Sequence, residues 1–233
     1  MLAVTGGKGG CGKTTTAVGV ARALATRGYD PLVIDADVDM PDLHHLVAID
    51  RRDGVDALAR GAPLDRAVQQ STTVPGVAFV TAGSPDRTAA ALRATARWPG
   101  PVLVDCPAGA GPDATRPLRA AESALIVSTD ERQAIEDSRR TLAVARQLGA
   151  RPVGVVLRTV TRDDPPSRIG RCQVLEALST VDDPLACPET SRAWDRIAGT
   201  VREFTSEDET ATRLAPEPST ESSGVGELSR RSF

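Results

Sequence analysis

Short apolar runs alternate along the chain with longer segments that have the length and apolar spacing of helices. Alternation of this kind is typical of a parallel β-sheet that is covered by helices on both faces. We therefore expect a three-layer α/β domain with a mostly parallel sheet of about seven strands. Six of these strands are assigned to the sequence, at 2–5, 31–35, 77–81, 101–105, 124–128 and 153–157.

Helices are predicted between and after these strands, where apolar residues recur at helical spacing or alanine is frequent. The predicted helices are 14–27, 54–60, 63–70, 86–97, 131–148, 174–178 and 191–201. Beyond about Glu203 the sequence is acidic, rich in Ser, Thr and Pro, and nearly devoid of large apolar residues. Such a segment cannot bury enough surface to order itself. The chain is thus predicted to have one domain, residues 1–202, and a disordered tail, residues 203–233.

Composition and charge narrow the function classes. The chain has 233 residues, a formal net charge of −3 and no run of about 20 apolar residues that would span a bilayer. Because no global basic field is present, we expect weak or no DNA binding. The four cysteines lack the C-x-x-C spacing of zinc or iron–sulfur sites. The first strand begins at residue 2 and leaves no room for a signal peptide, so we expect a cytoplasmic protein.

The clearest motif is a glycine-rich loop between the first strand and the first helix. Residues 7–14 read Gly-Lys-Gly-Gly-Cys-Gly-Lys-Thr and fit the pattern G-x-x-x-x-G-K-[ST] of a phosphate-binding loop. Backbone N–H groups and the helix N-terminus would hold a polyphosphate there. Lys13 would reach the β- and γ-phosphates, and the Thr14 hydroxyl would ligate Mg²⁺. The loop glycines keep Cβ atoms out of the turns and away from the phosphates; they are Gly7, Gly9, Gly10 and Gly12.

Acidic residues follow two of the predicted strands. Asp35 and Asp37 end the second strand and Asp105 ends the fourth, at the sheet edge where ligands bind in open α/β folds. One carboxylate could hold a Mg²⁺-bound water while another orients an attacking water; a solvated acidic turn is the alternative for 35–42. The Asp105 arrangement is typical of a Walker-B strand. Gly109 would leave a backbone N–H free to approach a γ-phosphate.

These segments resemble the deviant Walker A, switch I and switch II motifs of the MinD/ParA family of P-loop ATPases. The resemblance rests on 8–15, on Asp35-Ala36-Asp37 and on 105–109, and it extends over about residues 1–200. It implies a P-loop NTPase fold and a homodimer that encloses two ATP molecules with Mg²⁺. The resemblance implies that Lys8 crosses to the partner's phosphates and that Asp37 positions the attacking water. It also implies that Asp35 and Asp105 assist Mg²⁺ through water, that Thr15 caps the α-phosphate and that Cys11 lines the loop.

The chain also departs from the family pattern. After the sixth strand, where family members often have an Asn that reads adenine, this chain has Leu157-Arg158-Thr159. Arg158 could stack on a base but lacks the donor–acceptor pair of an amide. By the same resemblance, Pro188 and Glu189 match the loop that covers the base in family members. Relatives of the MinD type end in a basic amphipathic helix, whereas this tail is acidic, so we expect no autonomous membrane anchor.

Three functions remain open from the sequence. The first is a slow ATPase switch that positions or partitions cellular cargo and depends on an unidentified protein activator or cargo. The second is a cofactor- or metallocluster-assembly ATPase of the same superfamily. The third is a nucleotide-gated interaction module with negligible turnover.

Overall fold

The computed structural model describes residues 1–109, 111–158 and 163–214, with side chains as far as residue 204. Within these ranges nine strands form one sheet. They are β1 (Leu2–Thr5), β2 (Leu32–Asp35), β3 (Gln69–Gln70), β4 (Ala78–Val80), β5 (Val102–Asp105), β6 (Ser123–Thr129), β7 (Arg151–Arg158), β8 (Arg168–Ile169) and β9 (Cys172–Ala177).

The sheet order is β3-β4-β2-β5-β1-β6-β7-β9-β8. The seven strands from β4 to β9 in this order are parallel to one another, whereas β3 and β8 are two-residue antiparallel strands at the edges. The predicted mostly parallel α/β sheet is thus confirmed, with two short strands more than expected. Strand β1 lies at the centre, between β5 and β6, and delivers the glycine loop to the middle of the carboxyl edge.

Helices cover both faces of the sheet. In the described residues the α-helices are α1 (Lys13–Thr26), α2 (Leu43–Leu46), α3 (Gly54–Ala59), α4 (Leu64–Ala67), α5 (Thr88–Ala94), α6 (Pro112–Ala120), α7 (Arg132–Gln147) and α8 (Pro188–Leu214), and short 3₁₀-helices, Pro85–Arg87 and Thr95–Arg97, flank α5. Successive strand residues point to opposite faces, so Leu2 and Val4 join the core beneath α1 and α8 while Ala3 joins the core beneath α3, α5, α6 and α7. Within the described residues, no helix combines the length and the hydropathy needed to cross a membrane.

One predicted helix, 174–178, is wrong: Cys172–Ala177 form strand β9, parallel to β7. A short apolar run cannot show whether its period is helical or extended. Here tertiary packing decides, because Gly154 of β7 leaves space that Leu175 fills; a Cβ at Gly154 would lie 2.4 Å from the Leu175 Cγ. Helix α4 likewise covers only part of the predicted helix 63–70.

The last helix is longer than predicted. It begins at Pro188 and continues to Leu214, so residues 203–214 of the predicted tail are helical. Phe204 provides a physical reason, since its ring packs against the core and lies 4.6 Å from the Arg151 guanidinium carbon. The remainder of the predicted tail, 215–233, lies outside the described residues.

Candidate functional site

A cavity of about 670 Å³ lies at the carboxyl ends of the central strands. Its lining residues come from the glycine loop and the start of α1, from the segment after β2, and from the segment after β5. These residues lie within 9–15, 37–46 and 107–108. The carboxyl edge is where open α/β sheets bind ligands, and three of the sequence motifs meet there.

The glycine loop has a conformation that requires glycine. Gly10 and Gly12 have φ angles of 73° and 90°, in the left-handed region that favours residues without a Cβ. Gly7 is needed for another reason, because a Cβ there would lie 2.5 Å from the Cβ of Asp137 in α7. A Cβ at Gly9 would meet open space. The loop therefore packs against the protein on one side and leaves its backbone open on the other.

The chain's two lysines both belong to this loop, but their environments differ. Lys13 is the first residue of α1, lines the cavity and is 6% exposed. Lys8 is exposed, and its Nζ donates a hydrogen bond of 2.8 Å to Glu131 Oε2. This contact raises the pKa of Lys8. One cation is thus buried beside the cavity, while the other is held on the surface by a carboxylate of its own chain.

Two carboxyl groups are buried side by side beneath the cavity. Asp35 and Asp105 are paired in register on the neighbouring strands β2 and β5, and each is 1% exposed. Burial, reinforced by the charge of Asp105, raises the pKa of Asp35 to about 8. Burial also raises the pKa of Asp105 to about 7, although a hydrogen bond from the Thr14 side chain and the Lys13 charge act in the opposite direction.

This carboxyl pair fits a divalent cation. Asp35 Oδ1 accepts the Asp37 N–H at 3.0 Å, but Asp35 Oδ2 and Asp105 Oδ1 have no hydrogen-bond partner among the described residues. Buried polar atoms are usually paired, and carboxylate and hydroxyl oxygens are the ligands that Mg²⁺ prefers. No group of three or more His, Cys, Asp or Glu side chains in the described ranges forms a metal site by itself. Mg²⁺ typically uses one or two carboxylates together with phosphates and water.

Asp37 and Gly109 border the cavity in different ways. Asp37 lines it and is half-buried, with its Oδ1 accepting the Met40 N–H at 3.1 Å. Gly109 has a φ of 91°, but its N–H donates to the Gly6 carbonyl at 3.1 Å. The expectation of a free N–H at Gly109 is therefore wrong for this structure. Contact between that N–H and a phosphate requires the bond to Gly6 to open.

The remaining predicted site residues divide between the cavity and its surroundings. Thr15 lines the cavity, whereas Cys11 is buried with its Sγ 3.5 Å from the Val127 carbonyl oxygen. Pro188 is exposed at the first position of α8. Arg158 is the last residue of β7 and is 7% exposed; burial lowers its pKa.

Sequence reasoning missed part of the cavity wall. Met40, His45 and Leu46 also line it, and Met40 is 57% exposed. His45 and Leu46 belong to α2, a helix of four residues that the sequence analysis did not predict. So short a helix has no repeating apolar pattern to identify it, although its position soon after the Asp35-Ala36-Asp37 motif was a usable signal.

The fold and the site define an α/β nucleotide-binding protein with a phosphate loop. Residues 2–177 match the CobQ/CobB/MinD/ParA nucleotide binding domain, and the chain belongs to this family. This confirms the family resemblance found in the motifs.

Individual relatives agree. The chain is 28% identical over 173 residues to an uncharacterized ATP-binding protein of Methanocaldococcus jannaschii, covering 70% of this chain and 65% of that protein. It is 29% identical over 202 residues to the septum site-determining protein MinD of Synechocystis sp., covering 81% and 73%. The chain therefore spans slightly less than two thirds of the first relative. MinD from Pyrococcus horikoshii OT3, solved with Mg-ADP, has the same fold, with a TM-score of 0.77 at 22% identity over 88% of this chain and 96% of that chain.

Proposed function

We propose that the chain is an ATP-hydrolysing switch that binds ATP with Mg²⁺, dimerises around it, and positions or partitions cellular cargo. The observation that carries the proposal is the juxtaposition of the glycine loop and Lys13 with the paired Asp35 and Asp105 carboxyls. The loop offers donors and positive charge to phosphates, and the carboxyls offer oxygen ligands to a cation. Membership of a nucleotide-binding family supports the same conclusion.

The phosphate-binding part of the mechanism belongs to the loop. Within the described residues, no side-chain cap hydrogen bond is made at the start of α1, and its first turn has no acidic residue. The loop and helix N–H groups are therefore available to an anion. In the proposal, Lys13 contacts the β- and γ-phosphates, Thr14 ligates the cation and Thr15 contacts the α-phosphate. Bound Mg²⁺ would neutralise charge on the phosphate oxygens. Asp35 and Asp105 would hold this cation through water molecules.

Asp37 is the proposed water-positioning residue. It lines the cavity beside the loop and is only half-buried, so it is accessible to a water molecule there. The Met40 N–H fixes one of its oxygens and leaves the other to accept a hydrogen bond from the attacking water. Orienting the nucleophile in line is what phosphoryl transfer requires from the protein.

Lys8 is the proposed link between nucleotide and dimerisation. Its exposed ion pair with Glu131 contributes little to stability, so leaving Glu131 for the phosphates of a second protomer has a small cost. A cation supplied in trans accelerates phosphoryl transfer by about 10³–10⁵ in other nucleotide hydrolases. Turnover would then be slow until a dimer forms, and a protein activator or cargo would regulate that step. A cytoplasmic location, an ATPase domain of residues 1–202 and base contacts from Arg158 and Pro188 remain parts of this proposal.

Two lysine variants test the proposal. Calorimetry should detect Mg·ATP binding to the wild type, a large loss of affinity in Lys13→Ala, and nearly unchanged affinity in Lys8→Ala. Phosphate release should be lost in both variants, and light scattering should detect ATP-dependent dimers of the wild type. Glu131→Gln is the matched control, because it removes the Lys8 ion pair and keeps the cation. Absence of any heat with Mg·ATP, or wild-type turnover in Lys8→Ala, would contradict the proposal.

A further inference from the structure

Helix α2 presents one of its two histidines to the cavity. His45 lines the cavity, whereas His44 does not. Leu43, and Val47 directly after the helix, are fully buried in the core that α1 and α8 cover. Successive residues of a helix are about 100° apart around its axis, so His45 lies about 200° from each of these two residues. The His45 side chain is therefore directed away from the buried face of α2.

Helix α2 is fixed in position at its C-terminal end. The Val47 carbonyl oxygen accepts hydrogen bonds from Ser71 Oγ at 2.5 Å and from Thr73 Oγ1 at 3.1 Å. The rings of His44 and His45 lie against each other, with their centroids 3.9 Å apart and their planes inclined by 37°. Within the described ranges, the His45 side chain makes no hydrogen bond. The ring is thus held by packing, while its nitrogens remain available to a ligand.

The cavity lies toward one side of the sheet. Among the described residues, its lining outside the loop and α1 comes from the segments after β2 and β5, and none comes from β6, β7 or α8. Strands β2 and β5 also end in Asp35 and Asp105, the proposed cation site. A cation at that site would engage the β- and γ-phosphates. The segment 37–46 therefore faces the terminal phosphate of a nucleotide rather than its nucleoside.

The lining side chains of this segment include a single hydrogen-bond donor. Within the described residues they are Asp37, Asp39, Met40, Asp42, His45 and Leu46. Ionised carboxylates only accept hydrogen bonds, and the Met and Leu side chains have no donor, whereas an imidazole has at least one N–H. The carboxylates repel a phosphate, and a hydrogen bond from His45 to a charged oxygen would offset part of that repulsion.

We propose that His45 is a specificity-determining residue: its ring donates a hydrogen bond to the terminal phosphate and so favours nucleoside triphosphates over diphosphates. The proposal rests on the proposed function, since it assumes that the cavity binds a nucleotide with its phosphates at the glycine loop. It goes beyond that function in naming the residue of α2 that distinguishes the two nucleotides.

The test compares the affinities of the full chain for Mg·ADP and for Mg·AMPPNP, a triphosphate analogue that resists hydrolysis. Equilibrium dialysis at a protein concentration at which light scattering shows only monomers keeps dimerisation out of the comparison. His45→Phe keeps a ring against His44 but removes the donor. It should lower the affinity for Mg·AMPPNP about tenfold and change the affinity for Mg·ADP by less than about twofold. His45→Gln restores a donor and should recover part of the lost affinity.

His44→Phe is the matched control, because it makes the same change at a histidine that does not line the cavity. It should leave both affinities within about twofold of the wild type. An equal loss for both nucleotides in His45→Phe would mean that the ring only supports the cavity wall. Unchanged affinities in His45→Phe, or an equal effect of His44→Phe, would mean that His45 does not select the terminal phosphate.

Each of these three results would overturn the role of His45 and leave the proposed function standing. Failure of the wild type to bind either nucleotide would overturn the proposed function as well. If His45→Phe does not fold, His45→Ala removes the same donor from an exposed position and decides the question with the same two affinities.

Discussion

At the residue scale, the notable feature is the burial of two carboxyl groups whose oxygens are not all hydrogen-bonded within the described structure. Asp35 and Asp105 lie side by side at 1% exposure, and each has one oxygen without a hydrogen-bond partner among the described residues. Ionising both groups there is unfavourable because desolvation and mutual repulsion oppose the charged forms. The carboxyl pair therefore lowers the stability of the folded protein, and a bound cation would reverse this effect. Destabilising local arrangements of this kind are typical of functional sites.

This burial predicts a pH dependence of stability without nucleotide or magnesium. The folded pKa of Asp35, about 8, lies above the unfolded value near 3.8, so the folded state keeps a proton that the unfolded state releases. The stabilising effect is complete below the unfolded pKa and is lost as the pH rises through the folded one. Asp105 acts in the same direction. The free energy of unfolding should therefore fall between about pH 4 and about pH 8, by up to about 1.4 kcal/mol per pH unit for each proton.

Urea unfolding of Asp35→Asn checks this prediction. The amide cannot ionise, so the variant should lose less stability than the wild type over the same pH range. Asp65→Asn, at an exposed position of α4, should follow the wild type. Equal slopes for the wild type and Asp35→Asn would show that this carboxyl does not keep its proton in the folded protein.

The sequence predicted where these residues lie but not their environment. The position of an Asp after an apolar strand is local information, so the placement of Asp35 and Asp105 at one sheet edge followed from the strand pattern. Contacts between distant segments were not accessible in this way. Arg158 over Trp194, and the Gly109 N–H bonded to Gly6, depend on packing that brings separate elements together.

At the element scale, the contact between α1 and α8 fixes the position of the helix that begins at the glycine loop. A Cβ on Gly19 would lie 2.6 Å from the Trp194 ring, which is buried and cannot move aside. We expect Gly19→Ala to destabilise the protein by about 1–2 kcal/mol, because overpacking costs about 1–3 kcal/mol and alanine recovers up to about 1 kcal/mol of helix propensity. Denaturant unfolding measures the change.

Gly199 in α8 is the matched control. A Cβ there would lie 3.3 Å from Nη1 of Arg27, the far end of an exposed and flexible side chain. Gly199→Ala should therefore be neutral or stabilising, by up to about 1 kcal/mol. If the two variants had the same stability, the close approach of Trp194 to α1 would not be a real constraint.

The sequence analysis missed helix α6 and strand β9 for different physical reasons. Helix α6 begins at Pro112 and contains Pro117, a residue that usually argues against a helix interior. Strand β9 is a short apolar run whose state depends on the free edge of β7. Strong signals came instead from the longer segments and from the glycine loop, where propensity, periodicity and turn chemistry agree. The family and the fold class were confirmed for that reason.

At the scale of the whole molecule, the central question is whether one chain contains a complete site. The loop, Lys13 and the carboxyl pair all come from one protomer, but Lys8 is on the surface and bonded to Glu131 rather than to a cavity residue. An exposed lysine at the end of a phosphate loop is available to a second copy of the chain. The proposed dimer would therefore complete each site with a cation from its partner, as symmetric assemblies allow.

Mixing two inactive variants tests this arrangement directly. Lys8→Ala retains Asp37 but lacks the lysine, and Asp37→Ala retains the lysine but lacks the proposed water-positioning group. If Lys8 acts in trans, a mixed dimer has one site with its own Asp37 and the partner's Lys8. An equal mixture should then recover about a quarter of the wild-type phosphate release, since half of the dimers are mixed and each has one complete site.

Action of Lys8 at the site of its own chain predicts the opposite result for the same mixture. If Lys8 serves the site of its own chain, no combination of these variants places both groups at one site, and the mixture stays as inactive as its components. Lys13→Ala mixed with Lys8→Ala extends the comparison, because in trans action leaves the intact loop of the Lys8→Ala chain able to receive a lysine from the other protomer. Recovery of phosphate release in this second mixture requires that the Lys13→Ala chain, whose loop is impaired, still enters the dimer. The second mixture therefore also measures whether one bound nucleotide is enough to hold two protomers together.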